Sequence, residues 1–462
     1  MTGKFPTATT ISASGVVGDY TLTATVTGLV NAPSVAAPKG TVSFLDTTDS
    51  NHVLAKAALG TGAAALSFLK AGNPATNPFP QSVAVADFIG DGKLDLAVPV
   101  YSIFTPTSDA NILLGNGDGT FKAGPAFPLT GQNVNNAAVG DFNGDGKLDL
   151  ALSLPDANQV QVLLGNGDGT FTPLPAISVN GVFVVATADF NGDSKADLVV
   201  VSDTLTILLG NGDGTFTVKT TIQVVSPQAV AVGDFNGDGK ADLAVVDYTA
   251  DAITILLGNG DGTFTQASSS PQTGFEPASI VAADFNGDGI LDLAVTNLND
   301  GNPEPGSVTV LLGNGDGTFR PTAASPVTGA VPNSIAVGDF NGDGKADLVT
   351  GDAGSNTATV LLGNGDGTFA APLNPPAGTN SLFVGVGDFN GDGLPDLAAA
   401  NNTPNTVTIL LTEETQTATA TATGIAPKGS GQHSVEASYK GNAVYLGSTS
   451  PTVPLTGSGT TP

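Results

Sequence analysis

The chain of 462 residues contains no cysteine, no tryptophan and only two histidines. Without cysteine, neither disulfide bridges nor thiolate metal sites can form. Without tryptophan, and with five tyrosines, few side chains can stack on sugar rings. The histidines, His52 and His433, stand near opposite ends of the chain, so the central part has no Ser/His/Asp set. These absences argue against nucleophilic catalysis and leave little for an aromatic-lined carbohydrate site.

Basic residues are scarce as well. Lysine and arginine number 14, with Arg320 the single arginine, against 42 acidic residues, and the net charge is −28. Such a surface repels phosphate backbones and anionic lipid heads, so we expect no nucleic-acid partner. No apolar run approaches the ~18 residues of a membrane-spanning helix, so we expect no membrane insertion.

The start of the chain, MTGKFPTATT, lacks the hydrophobic region of a signal peptide. Because Met1 is the only methionine, we expect the chain to be a piece of a longer secreted protein. Glycine (61) and proline (30) are abundant. Short alternating apolar runs between Gly/Asn/Asp clusters predict an all-β fold.

The chain contains a seven-fold internal repeat. An aspartate-rich loop such as DFNGDGKAD, at 234–242, recurs at intervals of 45 to 55 residues. A second motif, LLGNGDGTF, follows each of the first six loops. Each unit has about four short strands, and four strands per ~50 residues, repeated radially, are typical of a β-propeller. Seven units predict a seven-bladed β-propeller.

The connections between strands differ in how much their lengths vary. In an up-and-down blade, the first and third turns lie at one face and the second turn and crossover at the other. The aspartate loop and the NGDG turn are nearly constant in length, whereas the other connections absorb the spacing variation. We therefore expect one constant, metal-rich face and one variable face.

The aspartate loop has the pattern of a cation site. In the loop at 234–242, oxygen-bearing side chains stand at positions 1, 3, 5 and 9. Glycine at position 6 permits a sharp turn that aims the position-7 carbonyl inward. Carboxylates, an amide oxygen and a carbonyl suit Ca²⁺, so we predict up to seven Ca²⁺ ions. An EF-hand is excluded, because position 12 after Asp141 is Leu152 and both flanks alternate like strands.

The predicted ligands occupy positions 1, 3, 5, 7 and 9 of each loop, with position 7 acting through its carbonyl oxygen. They are Asp87, Asp91, Lys93, Asp95, Asp141, Asn143, Asp145, Lys147, Asp149, Asp189, Asn191, Asp193, Lys195, Asp197, Asp234, Asn236, Asp238, Lys240, Asp242, Asp284, Asn286, Asp288, Ile290, Asp292, Asp339, Asn341, Asp343, Lys345, Asp347, Asp388, Asn390, Asp392, Leu394 and Asp396.

The seven copies are not equal. Ile89 removes the position-3 ligand of the first loop, Ser194 replaces glycine at position 6 of the third, and Pro395 stands at position 8 of the last. We predict that these three sites are weaker. Variation at position 7, where Ile290 and Leu394 replace lysine, is expected to matter little because only the carbonyl would be used.

The two motifs explain much of the charge. Three aspartates in each of seven loops make 21 of the 42 acids, so half of the acidity is assigned to metal cages. GNGDGTF predicts a tight hairpin turn, because Asn-Gly and Asp-Gly supply the positive φ angles of primed turns. Its aspartates, such as Asp118, are expected to serve the turn.

These motifs resemble a known family. DFNGDGKLDL (141–150), DFNGDGKADL (234–243) and LLGNGDGTF are similar to the FG-GAP/VCBS repeats of bacterial secreted proteins. They also resemble the calcium-loop blades of integrin α-subunit propellers and of some fungal propeller lectins. The resemblance covers about residues 66–412 and implies a calcium-stabilised seven-bladed propeller. It does not imply one ligand, because such repeats occur in adhesins, lectins and a few polysaccharide-cleaving enzymes.

The two ends of the chain complement each other. The seventh unit lacks GNGDGTF, and LSFLKAGNP (66–74) resembles GTFKAGPAF (119–127). We expect this N-terminal strand to complete the seventh blade and to close the ring. Residues 8–46 resemble the first half of a bacterial Ig-like repeat domain, and residues 431–457 resemble its last part. Two organisations remain open: one Ig-like β-sandwich (1–65 and 413–462) with the propeller (66–412) inserted, or two separate β appendages.

The function we expect is non-enzymatic. The acids outside the loops show no grouping suited to glycosidase chemistry. We expect an extracellular or cell-surface binding and adhesion module for a glycan or a cell-surface polymer. Candidate contact loops are 99–111, with Tyr101, and 297–307, which could equally be plain exposed loops. The alternatives are a structural spacer that self-associates through the Ig-like domain, and a polysaccharide lyase-like enzyme.

Overall fold

The computed structural model describes residues 4–30, 36–100, 107–130, 133–298, 305–323, 325–403 and 405–458. The chain divides into two compact units. The flanking unit comprises Met1–Phe68, Asp392–Leu394 and Thr412–Pro462, and the repeat unit comprises Leu69–Gly391 and Pro395–Leu411. Apart from one 3₁₀ turn at Pro155–Ala157, the described elements are all β-strands. In these ranges there is no helix with the length and hydropathy of a membrane span.

The repeat unit is a series of antiparallel sheets, which we number 1 to 7 in chain order. Sheets 1 to 5 each have four strands in sequential order, and sheet 2 carries a fifth short strand. Sheet 1 has the strands Ala84–Ala86, Asp95–Pro99, Thr107–Gly115 and Phe121–Thr130. Sheet 2 has Ala137–Gly140, Asp149–Leu154, Gln159–Gly165, Phe171–Pro173 and Ile177–Ser178. Sheet 3 has Val184–Ala188, Asp197–Val201, Leu205–Gly210 and Phe216–Ile222. The strands of sheets 4 and 5 are Pro227–Gly233, Asp242–Asp247, Ala252–Gly258 and Phe264–Gln266; Pro277–Ala283, Asp292–Asn297, Ser307–Gly313 and Phe319–Pro321. This confirms an all-β chain of repeated four-stranded antiparallel sheets.

The last two sheets differ in their outer strand. Sheet 6 has the strands Pro332–Gly338, Asp347–Asp352 and Thr357–Leu361, and isolated bridges such as Gly363↔Phe369 stand in place of a fourth. Sheet 7 has Ser381–Gly387, Asp396–Asn401 and the first part of Thr406–Ile425, and the strand Ala63–Gly72 pairs with the last of these. The pairing continues beyond Gly72, where the Val407 N–H donates to the Pro74 carbonyl at 3.0 Å.

The second strand of each sheet is buried on both faces, which its sequence explains. DLAVVD (Asp242–Asp247) has no exposed residue, and its β-branched side chains suit a pleated, enclosed strand. Successive side chains point to opposite faces, so one such strand packs on both neighbouring sheets. Val246 of sheet 4 packs with Val295 of sheet 5, whereas Val245 packs with Val199 of sheet 3.

Sheet 1 also packs against sheet 7. Leu96, Val98 and Leu113 of sheet 1 share one apolar cluster with Ala398 and Ile409 of sheet 7. The backbones approach closely here: a Cβ on Gly385 would lie 2.8 Å from Val85 Cγ2, and only glycine avoids this clash. The first and last repeats are therefore neighbours in space.

The flanking unit is a pair of packed sheets that draws strands from both ends of the chain. One sheet contains Thr7–Val16, Asp19–Val30, the latter part of Thr406–Ile425 and the start of Ala63–Gly72. The other contains Thr41–Asp46, His52–Ala58, Ser430–Tyr439, Ser448–Thr449 and Val453–Ser458. Their shared core includes Leu22, Phe44, Ala437 and Tyr445. The two terminal segments thus form one unit, and its sequence brackets that of the repeat unit.

Candidate metal-binding loops

Each aspartate loop connects the first and second strands of its sheet. In sheet 4 the first strand ends at Gly233 and the second begins at Asp242, the ninth loop position. The chain reverses through two left-handed residues, Gly237 (φ 74°) and Gly239 (φ 80°). In the third loop Ser194 takes the same conformation, with φ 64°, which a residue with a Cβ adopts at a conformational cost.

The position-1 aspartate organises this turn through the loop backbone. Asp234 Oδ1 accepts hydrogen bonds from the N–H groups of Gly237 (2.8 Å) and Asp238 (3.1 Å). Its other oxygen, Oδ2, accepts from the Gly239 N–H at 2.8 Å. Because backbone donors hold both oxygens, the carboxylate sits at the centre of the loop.

Positions 3 and 5 also bond to the backbone of the loop. Asn236 Oδ1 accepts from the Asp238 N–H at 2.9 Å, and Asp238 Oδ1 accepts from the Lys240 N–H at 3.0 Å. These nested Asx turns recur in the second, third, fifth and sixth loops. In the first loop Ile89 cannot make the position-3 bond, whereas the bond from Asp91 to the Lys93 N–H is kept. The sequence DFNGDGK therefore specifies its own fold before any ion is considered.

The position-9 aspartate is fully buried and joins the loop to two strands. Asp242 Oδ2 accepts from the Phe235 N–H at 2.9 Å, and Oδ1 accepts from the Gly258 N–H, at the end of the third strand, at 2.7 Å. The bond to the position-2 phenylalanine occurs in all seven loops. The bond from the third-strand glycine occurs in sheets 1 to 6. Sequence reasoning assigned this residue only to metal, yet it also fastens three strand ends together.

The position-9 carboxyl also senses the other acids of its loop. Burial raises the pKa of Asp242, the two N–H donors lower it, and the negative charges of Asp238 and Asp234 raise it further. The same balance raises the pKa of the position-9 aspartate in sheets 1 to 6, and for Asp347 to about 6. The acids at positions 1 and 5 are therefore close enough to the position-9 carboxyl to raise its pKa.

The side chain at position 7 also takes part in the loop. Lys240 Nζ lies 3.1 Å from Asp238 Oδ2, and the same ion pair forms in the other four loops that have lysine at this position. In the fifth loop Ile290 cannot form it. There the Asn286 side-chain amide donates to Asp288 Oδ2 at 2.9 Å.

The donor set of the loops fits a hard cation, although the side chains face other partners. In the described ranges, no three acidic or histidine side chains converge closely enough to hold a metal as they stand. Asp234 Oδ1 already accepts two backbone N–H groups, whereas Asp234 Oδ2 and both oxygens of Asp242 accept one each and keep a second lone pair. The groups that could hold Ca²⁺ are the side chains at positions 1, 3, 5 and 9 and the position-7 carbonyl. Asp238 would have to turn away from Lys240 to contribute its second oxygen.

The GNGDGTF segment is a hairpin turn, as predicted. The Asn259 N–H donates to the Thr263 carbonyl at 2.9 Å, and Asp261 Oδ1 accepts from the Thr263 N–H at 3.0 Å. The bond from the Thr263 hydroxyl holds the pKa of the exposed Asp261 below its ordinary value. The same arrangement involves Asp118 in sheet 1. These aspartates are occupied within their own turns.

At five places this turn also fastens an aspartate loop to the next sheet. The Gly262 N–H donates to the carbonyl of Phe190, the position-2 residue of the preceding loop, at 2.9 Å. Phe190 also meets Phe264 edge to face, with ring centroids 5.7 Å apart. Equivalent phenylalanine pairs join five other pairs of neighbouring sheets. One of them is Phe389 of sheet 7 with Phe121 of sheet 1. A loop held rigid would therefore hold its neighbour in place.

A set of residues at the opposite ends of the sheets was not predicted. Asn356, in the hairpin between the second and third strands of sheet 6, has φ 61°, and its Oδ1 accepts from the Asn380 N–H at the start of sheet 7 at 2.7 Å. In equivalent bonds the N–H groups of Gly181, Glu276 and Phe79 donate to the Oδ1 atoms of Asn158, Asp251 and Asn405, respectively. The signal was an Asn or Asp directly before the third strand of each of these four sheets, since these residues tolerate the left-handed conformation.

The predicted contact loops cannot be placed. Tyr101 and the rest of residues 101–106 in the first loop lie outside the described residues, and so do residues 299–304 of the second loop. The part that is described shows how the second loop begins: Asn297 is fully buried, and its Oδ1 accepts from the Gly274 N–H at 2.9 Å.

The repeat itself defines the class of protein. A family model described as FG-GAP-like repeat matches six successive segments, at residues 100–152, 141–200, 189–245, 234–295, 298–350 and 340–399. Because these segments cover well over half of the chain, the protein belongs to the FG-GAP-like repeat family.

Solved structures share the fold at low sequence identity. One is BBS1N, crystallised in complex with ARL6DN, with a TM-score of 0.52 and 15% identity over 74% of this chain and 96% of that one. Another is a protein from Lactobacillus plantarum, with a TM-score of 0.53 and 14% identity over 75% of this chain and 98% of that one. At such identities the likeness shows the fold alone. No curated protein matches the chain significantly.

Proposed function

We propose that the chain is a secreted or cell-surface, non-enzymatic binding module: a closed, seven-bladed β-propeller that is stiffened by Ca²⁺ and flanked by an Ig-like β-sandwich. The observation that carries this proposal is the in-phase recurrence of seven loops with acids at positions 1, 5 and 9. In six of them the position-9 pKa is raised by burial and by the other two acids. Three mutually repelling carboxylates in a self-folding loop are an arrangement that a divalent cation relieves.

Closure of the ring has support from both ends of the repeat. Sheets 1 and 7 share an apolar cluster, and the Gly119 N–H donates to the Phe389 carbonyl at 2.9 Å, the bond that neighbouring sheets use elsewhere. Between sheets 6 and 7, the Val384 N–H donates to Ser334 Oγ at 3.1 Å. A closed ring of separate sheets leaves only the short edges of their outer strands, which suits a protein displayed outside the cell.

Bound Ca²⁺ would supply charge neutralisation and rigidity at the aspartate loops. The chain's own residues would transmit that rigidity. The position-9 aspartate ties the loop to its sheet, and the position-2 phenylalanine ties it to the next sheet, as Asp242 and Phe235 do in sheet 4. Extracellular modules bind Ca²⁺ with dissociation constants of about 10⁻⁴–10⁻³ M.

The partner we propose is a neutral glycan or glycan-like polymer. Between the outer parts of sheets 2 and 3 lies a cavity of about 220 Å³ whose polar lining is uncharged. Its polar residues are Ser178, Asn180, Thr204, Thr206 and Thr221. Hydroxyl and amide groups can both donate and accept hydrogen bonds, as sugar hydroxyls require. A charge-free cavity in a chain of net charge −28 favours a neutral ligand over an anionic one.

Calcium binding is tested by thermal melting and calorimetric titration. We expect a lower melting temperature in EDTA than in millimolar Ca²⁺, and more than one bound ion per chain. The Asp238→Asn variant should lose one site, whereas Asp261→Asn, in the hairpin turn of the same sheet, should lose none. Identical melting curves with and without Ca²⁺ would refute the stabilising role.

Ligand binding is tested on a glycan array with Thr221→Val and Thr217→Val, two exposed threonines on one strand of which only the first lines the cavity. We expect neutral glycans to bind and only Thr221→Val to weaken them. Self-assembly of the purified chain in Ca²⁺ without glycan binding would favour the spacer role. Product release from a uronic-acid polymer would favour a lyase.

A further inference from the structure

The ion pairs at position 7 form a repeated feature that the proposed cation cage does not require. Five loops carry lysine there, and the Nζ–Oδ2 distances to the position-5 aspartate lie between 3.1 and 3.7 Å. The pairs are Lys93–Asp91, Lys147–Asp145, Lys195–Asp193, Lys240–Asp238 and Lys345–Asp343. Only the backbone carbonyl of this residue is needed to complete the calcium cage, so calcium binding does not explain why lysine recurs at position 7.

The lysine stem is held against the hairpin turn of its own sheet. A Cβ placed on Gly260 would lie 2.9 Å from Lys240 Cδ. A Cβ placed on the corresponding glycine of the other four sheets would lie 2.9 to 3.1 Å from the lysine Cδ of its own loop. Stem packing reduces the freedom of an otherwise flexible side chain, which favours the ion pair. The glycine at this point of the turn leaves room for the stem.

The lysine ammonium pairs with the carboxylate oxygen that a bound Ca²⁺ would need. Asp238 Oδ1 already accepts from the Lys240 N–H, and Oδ2 faces Lys240 Nζ. The hydrogen bond from this side chain lowers the pKa of Asp238. In the fifth loop a neutral amide, that of Asn286, takes the place of the ammonium at Asp288 Oδ2.

We propose that the position-7 lysines are built-in counter-cations, which neutralise the position-5 aspartate in the calcium-free loop and lower the calcium affinity of that loop. The inference rests on the proposed calcium binding. Calcium entry must displace the ammonium from Asp238 Oδ2 and then meets its positive charge nearby. Two loops lack the lysine, the fifth and the seventh, and the seventh carries Pro395 at position 8. The fifth loop, with Ile290 and an intact position 3, therefore binds Ca²⁺ at the lowest concentration. The lysine loops fill at higher calcium and remain ordered when it is withdrawn.

The expected size of the effect follows from Coulomb's law. A single positive charge about 6 Å from a divalent ion in a water-like dielectric, screened at physiological ionic strength, weakens binding by about three- to tenfold per loop. An exposed ion pair contributes little stability by itself. Five of them in one cooperative unit produce a measurable shift in melting temperature.

The first experiment uses the full chain with all five lysines changed to methionine, a side chain of similar length without the charge. We expect calcium affinity to rise by about three- to tenfold in calorimetric titration. In EDTA at low salt we expect a lower melting temperature than wild type, with the difference shrinking in 1 M NaCl as screening removes the ion pairs. Lys122→Met is the control, because this lysine lies on the outer strand of sheet 1 and belongs to none of the five ion pairs.

The converse variant, Ile290→Lys, installs the pair in the fifth loop and serves if the fivefold variant does not fold. It should weaken the tightest site by about three- to tenfold and should raise the melting temperature in EDTA. If wild type binds Ca²⁺ and neither variant changes the affinity or the calcium-free melting, the inference is wrong while the proposed function stands. If wild type binds no Ca²⁺ at all, both are overturned.

Discussion

The buried position-9 aspartate offers the sharpest test of how the repeat is held together. In Asp242→Asn, one oxygen is kept and the other becomes an amide that faces an N–H donor. Either the Phe235 N–H (2.9 Å) or the Gly258 N–H (2.7 Å) then loses its acceptor inside the protein. The substitution is nearly isosteric, so packing should change little.

The size of the loss can be worked out from these contacts. A hydrogen bond to a charged group contributes about 1.5–3 kcal/mol, and a buried N–H without a partner costs about 1–3 kcal/mol. Removal of the buried charge offsets part of this, because burial and the neighbouring acids raise the pKa of Asp242. We therefore expect a net loss of about 2–4 kcal/mol. The repeat unit has roughly 340 residues, for which this corresponds to about 3–6 °C in melting temperature.

The assay is thermal melting in EDTA, so that metal binding does not contribute. Asp261→Asn is the matched control: it removes the same charge from the same sheet but keeps Oδ1, which accepts from the Thr263 N–H. It should melt close to wild type. If Asp242→Asn also melts like wild type in EDTA and differs only in Ca²⁺, the aspartate is a metal ligand alone and the reasoning fails.

Three further predictions concern other parts of the chain. In EDTA the melting temperature should rise as the pH falls from 7 toward 5. The folded pKa of Asp347, about 6, exceeds its ordinary value of 3.8, so the folded state binds the proton more tightly. A lower melting temperature at pH 5 than at pH 7 would contradict this prediction. Asn356→Ala should destabilise the repeat unit by about 1–3 kcal/mol, and Asn356→Gly should destabilise it by less. Glycine adopts the φ of 61° without strain and loses only the bond to Asn380. Equal melting temperatures of the two variants would show that backbone strain does not contribute. His433→Leu should destabilise the flanking unit by about 1.5–3 kcal/mol, since it removes the buried 2.5 Å bond to Asp46; His52→Leu, at an exposed histidine, is the control in the same melting assay.

The sequence by itself determined the repeat, the all-β class and the loop fold. These features are local: the Asx turns and left-handed glycines of DFNGDGK act within nine residues, and the alternation of DLAVVD acts within one strand. Such interactions depend on neighbours along the chain, so the order of residues suffices to predict them.

The tertiary structure alone decided which distant groups meet. The second hydrogen bond of Asp242 goes to Gly258, 16 residues away, and Gly262 bonds to Phe190, 72 residues away. The role of the Lys240 side chain could not be predicted from the sequence for a related reason. The lysine stem packs next to Gly260 of the hairpin turn while its ammonium pairs with Asp238, and this packing exists only in the folded sheet. Contacts of this kind form only once the sheets have packed, and no local pattern in the sequence records which strand end will become the neighbour of another.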